Sequence, residues 1–150
     1  MKNFQEIKPG DDIKEVIKAA FDADLEVSGE WGYTKELATI IKDSQIPVNQ
    51  AEHTLASMRA YLEMNMTLEK EERYGSINLS EKDRVEEKEE GRLFHKVSYE
   101  ISAMKEDIYA DFIKEYKEGH SKPDFDISDH FKRRKEATLL RDVIYWFEIL

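Results

Sequence analysis

Apolar residues return at helical spacing in several places along the chain. Ile13, Val16, Ile17 and Ala20 recur every three or four positions behind Pro9-Gly10 and Asp11-Asp12, which predicts a first helix with acids at its positive end. Val48, Ala51, Leu55, Met58, Leu62 and Asn65 keep the same rhythm behind Pro47, a residue that suits a helix start, and predict a second helix running at least to Glu63. A third is expected from near Ser102, with Glu106 and Asp107 in its first turn and Lys114 and Lys117 in its last before Gly119. Ser128-Asp129 then opens a last helix in which Phe131, Leu139, Val143, Trp146, Phe147 and Leu150 supply apolar area.

Two stretches fit both periods. Leu25-Glu26-Val27 and Ala38 to Ile41 form an antiparallel pair around Gly29 and Gly32 if read as strands; read as a helix, Thr34 caps a segment with Tyr33, Leu37, Ile40 and Ile41 on one face. Leu93, His95, Val97, Tyr99 and Ile101 alternate as on a strand, while Leu93, Val97, Ile101, Met104, Ile108, Phe112 and Tyr116 make a helical stripe; the charges favour strand before Ser102 and helix after it. TLEKEERYGSIN is highly charged and closes on Gly75. From Ser80 to Glu90 only Val85 offers an anchor, so a solvated helix or a mobile loop is expected there. The expected fold is therefore α+β and predominantly helical, with four main helices and a small antiparallel sheet from parts of 25–41 and 93–101, and an all-α bundle as the alternative.

Length and composition narrow the function classes. The 150 residues suit one globular domain, 1–150, with no repeat or low-complexity linker to divide it. The absence of cysteine excludes disulfides, thiolate metal sites, iron–sulfur clusters and cysteine nucleophiles. No apolar leader or membrane-length run occurs, and the chain is expected to be cytoplasmic with no membrane association. A formal charge of −10 repels phosphate backbones and anionic surfaces at long range.

Residues 34–64 resemble a helix-turn-helix motif: Ala38 is the small residue of the first helix, and Leu37, Ile41, Val48 and Ala51 hold the usual apolar offsets. The turn departs from that pattern, with Lys42 and Asp43 where a glycine and an apolar residue are usual. Residues 11–43 also carry nine acids against four bases, the wrong footprint for DNA.

Other chemistry is sparse. No histidine has an acid three positions before it, and no His-Glu-x-x-His occurs, so di-iron and zinc-protease patterns are missing; His120, Asp124, Asp126, Asp129 and His130 are the one local group of N/O ligands. Neither a nucleophile elbow nor a phosphate-binding glycine loop is present. No catalytic, cofactor-binding or metal-binding residue is assigned.

The candidate interaction surface comprises Trp31 and Tyr33 in a glycine-flanked loop, the basic run Lys132, Arg133, Arg134 and Lys135, and Trp146 and Phe147 in the apolar end VIYWFEIL. That end is apolar almost all round, which predicts burial on two sides, within the domain or across a subunit interface. The expected function is a non-enzymatic cytoplasmic module that binds a protein partner or a second copy of itself through its C-terminal helix. The alternatives are a DNA-binding regulator using residues 34–64 and a small enzyme whose pocket holds Trp31, Tyr33 and a histidine.

Overall fold

A computed structural model describes residues 4–66 and 68–150; Met1, Lys2 and Asn3, which begin the polar leader, and Thr67, which begins the charged stretch before Gly75, lie outside them. In chain order the elements are α1 (Ile13–Phe21), β1 (Val27–Gly29), β2 (Thr39–Ile41), α2 (Val48–Tyr61), β3 (Tyr74–Glu89), β4 (Arg92–Lys105), α3 (Glu106–Gly119), α4 (Ile127–Ala137) and β5 (Leu139–Ile149). The five strands form one sheet in the order β1-β2-β5-β4-β3, antiparallel except for the parallel pair β2–β5.

The helix starts follow local chemistry. Asp12 caps α1 by accepting from the Lys14 amide, and Asp126 caps α4 by accepting from the Asp129 amide. α2 starts directly after Pro47 and runs into a π-helical turn at Leu62–Met66 that brings Glu63 and Asn65 inward. α1 and α2 cover one face of the sheet, and Ile13, Ile17, Trp31, Ile41, Leu55, Val97, Tyr99, Tyr145 and Phe147 form the main core between them. A second cluster, Ala60, Met64, Tyr74, Ile101 and Ala103, continues that core toward α3. Among the described residues no helix is long and apolar enough to cross a membrane.

The expectation of a mainly helical protein with a small antiparallel sheet is overturned, and so is the all-α alternative. The chain is 38% helical and 32% strand, and its sheet is five-stranded and mixed. Four α-helices do form, but the charged run expected to be helix or loop from Ser80 to Glu90 is strand as far as Glu89, with Glu90 in the turn that follows. It belongs to β3, the outer strand of the sheet, where charged side chains meet water and discourage pairing with another edge.

The β3–β4 hairpin turns at Glu90-Gly91, both at positive φ as a two-residue turn requires. Register shifts between Gly75 and Asn78 and between Glu81 and Asp83 break the alternation of β3, which is why its period-2 pattern is invisible in the sequence. The second shift sets Glu81 and Arg84, three residues apart, on the same side, where they pair at 2.7 Å.

The C-terminal segment is the other correction. The last helix stops at Ala137, and Leu139–Ile149 is the strand between β2 and β4. Its apolar residues fall on both sides through strand alternation, and only one side is shut from water: Tyr145 and Phe147 lie in the core, while Ile144, 43% exposed, and Trp146 face away from it.

Candidate functional site

The expected interaction residues separate into core and surface. Trp31 and Phe147 are 3% and 0% exposed. Tyr33 donates its hydroxyl to Glu63 at 2.5 Å and accepts from the Ile7 amide at 3.0 Å; burial first, and then the Glu63 charge, raises its hydroxyl above the ordinary range. These three residues stabilise the fold. In the basic run, Arg133 bonds both Glu115 and Asp129, whereas Lys132, Arg134 and Lys135 have no carboxylate within 4 Å among the described residues. Arg134 lies instead against the rings of Phe131 and Tyr109, at 5.4 and 5.9 Å from their centroids. Trp146 is half-buried on the sheet face opposite α1 and α2, with the Lys96 ammonium 5.5 Å from its ring.

The first helix of the helix-turn-helix reading does not form. Thr39–Ile41 is strand, hydrogen-bonded to β1 on one side and β5 on the other, so residues 34–64 contain no pair of helices. The loop ligand group, Asp124 apart, is likewise taken up by structure. His120 stacks on Tyr116, Asp126 caps α4, Asp129 pairs with Arg133, and buried His130 bonds Glu115 at 3.1 Å. Among the described residues no group of three His, Asp or Glu side chains is arranged to hold a metal ion.

Two ionic networks that the sequence does not reveal lie beneath α2. Arg59, 2% exposed, sits between the rings of Tyr33 and Tyr145 at 4.4 and 4.3 Å and donates to the carbonyls of Trp31 and Ile144 at 3.0 and 2.8 Å. Glu63 completes this network through Arg141 at 3.0 Å. In the second, fully buried Glu52 accepts from Arg84 at 2.9 Å and from His95 Nδ1 at 2.7 Å.

Tyr99, beside this second network, has its hydroxyl raised by burial and then by the Glu52 charge. A carboxylate, an imidazole and a guanidinium are the parts of a proton-transfer site, but Glu52 and Tyr99 are 0% and 1% exposed and line none of the described clefts. The same clefts are lined by neither Trp31, Tyr33 nor any histidine, so the imagined enzyme pocket has no counterpart there.

The chain matches no known family model, no curated protein and no solved structure. The geometry therefore carries the functional argument alone.

What water reaches is the second face of the sheet. At one end it is sealed by ion pairs: Lys35 with Glu87 and Glu89, and Arg92 with Glu148, over the buried ring of Phe94. Arg92 holds the Glu148 carboxyl below its ordinary range. Beyond this seal the face opens. Register aligns Val85, Lys96 and Trp146 in one row, Asp83, Ser98 and Ile144 in the next, Ser80, Glu100 and Asp142 in a third, and Asn78, Ser102 and Leu140 in a fourth.

Val85, Ile144 and Leu140 are 43, 43 and 60% exposed. Of the charges, Asp142 pairs with Lys82 at 3.2 Å, while Lys96 and Glu100 have no opposite charge within 4 Å among the described residues. The face ends at a cleft of about 350 Å³ between α3, α4 and the strands, walled by Arg134 and Lys135. Of these residues the sequence singled out only Trp146 and the basic run. The β-branched and aromatic residues of VIYWFEIL were the available signal for a strand, and the helical assignment of that segment hid it.

Proposed function

We propose that the protein is a non-enzymatic cytoplasmic interaction module that self-associates through the uncovered face of its sheet. One observation carries this reading. Lys96 and Glu100, opposite in charge and each without an opposite charge within 4 Å among the described residues, lie on either side of the Ser98–Ile144 row, with Val85, Trp146 and Leu140 around them.

A two-fold axis through that row brings each Lys96 to the partner subunit's Glu100 and each Ile144 against the partner's Ile144. The patch is thus self-complementary, as an isologous interface must be. Face-to-face sheets pack about 10 Å apart with interdigitating side chains, a spacing that half-exposed Val, Ile and Trp side chains fill.

Sedimentation equilibrium of the purified chain tests this. The expected particle is twice 17.7 kDa, and Ile144→Asp reduces it to the monomer. Lys96→Glu and Glu100→Lys each weaken association, and the double exchange restores it. A wild-type monomer at about 100 μM, or a double exchange no better than either single one, overturns the reading.

A further inference from the structure

We infer that the cleft at the end of this face, between α4 and the β3–β4 strands, is a site for a phosphoryl group, with Arg134 and Lys135 as its cations and Ser76 and Ser102 as hydroxyl donors. Four observations converge on it.

The first is charge. The chain carries thirty-three acids against twenty-three bases, yet no carboxylate lines this cleft while two cations do. At the sealed end of the same face, by contrast, Lys35 and Arg92 are both neutralised by Glu side chains. The last turn of a helix favours cations through its carbonyls, which accounts for the signs of Arg134 and Lys135 but not for the lack of acids around them.

The second is the strand. The register shift between Gly75 and Asn78 leaves Ser76 at φ 51, a left-handed conformation that side chains seldom adopt, beside the cleft. Bulges of this kind re-aim side chains and recur next to binding sites.

The third is the donor set. Ser76 from β3, Ser102 from β4, and Arg134 and Lys135 from α4 approach from three elements. Diverging donors fit the tetrahedral oxygens of a phosphoryl group, whereas a flat carboxylate is satisfied by a single guanidinium fork. Two neighbouring polar groups are already committed: Thr138 donates to the Arg134 carbonyl and Asn78 to the Ser76 carbonyl, which leaves the two serine hydroxyls, lining the same cleft as the cations, without an internal hydrogen bond among the described residues.

The fourth is the wall. Phe131, 49% exposed, and Tyr109 flank Arg134, so the guanidinium is held by ring contacts and not by a competing anion.

The site does not depend on self-association. Titration of the full chain with inorganic phosphate, followed by ¹⁵N–¹H correlation spectra against sodium chloride at matched ionic strength, tests it. Expected are saturable shifts at the amides of Ser76, Ser102 and Lys135 with phosphate and none with chloride. Affinity should fall at least about tenfold in Arg134→Gln, severalfold in Ser102→Ala, and stay unchanged in Lys132→Gln, whose cation lies outside the cleft.

Adenosine monophosphate in a second arm identifies the carrier. Tighter binding than phosphate assigns a ring-bearing monoester seated by Phe131, and equal binding assigns the free ion. Absence of saturation, equal shifts with chloride, or retained affinity in both Arg134→Gln and Ser102→Ala overturns the inference. Because the Ile144→Asp monomer should bind phosphate like the wild type, failure here and failure of the dimer are read separately.

Discussion

The two faces of the sheet use charge in opposite ways. Beneath α2, Glu52, Arg59 and Glu63 are almost wholly excluded from water and each has a counter-charge or carbonyls to bond. On the other face Lys96 and Glu100, and at its end Arg134 and Lys135, have no opposite charge within 4 Å among the described residues. A charge shut away from water is strongly destabilising unless paired, while one in contact with water tolerates solitude at almost no cost. The buried, bonded charges accordingly hold the fold together, while the unpaired ones of the open face are left to water at little cost.

The sharpest way to break the comparison is Arg59→Met. It strips the donors from the Trp31 and Ile144 carbonyls and leaves Glu63 with Arg141 as its one cation and Tyr33 as its neutral donor, so urea unfolding should show a loss of about 3–5 kcal/mol. Gly32→Ala should come next. At φ 74 a side chain is strained, and its Cβ would meet the Tyr145 ring at 2.2 Å, so a loss of about 2–3 kcal/mol by the same measurement is expected.

On the open face, Ile144→Asp should change unfolding of the monomer by no more than about 0.5 kcal/mol even as association is lost. A large loss of monomer stability would mean that this face, too, works for the fold.

The smallest effect lies in the α3–α4 hairpin. Arg133 first, and His130 after it, hold the Glu115 carboxyl down at about 2. A lowered value means stability present above the ordinary 4.5 and lost as pH falls through about 2, so amides of α3 and α4 should loosen across that interval. Glu115→Gln should lack that acid-dependent step.

How much of this was legible follows from period and pairing. α1, the start of α2 and the strand character of 93–101 were visible because each buries one stripe against the core. β3 was not, because two bulges shift its phase and its outer edge is charged. β5 was mistaken for helix because a strand with apolar residues on both faces loses the alternation that identifies it.

The networks of Glu52 and Arg59 join residues up to 85 positions apart, a relation that exists only in the folded chain. The basic run showed in the sequence, but its division into a bonded Arg133 and an open Arg134 and Lys135 depends on where Glu115 and the cleft lie.

The position of β5 also constrains how the protein is made. Synthesis delivers β1 and β2, then the β3–β4 hairpin, yet these two ribbons share no strand until Leu139–Ile149 enters between them. A chain that has reached only Thr138 lacks the strand through which the two ribbons share a sheet. The β2–β5 pairings join residues 108 positions apart, from Thr39 with Phe147 to Ile41 with Ile149, so the two ribbons become one sheet only when β5 is in place.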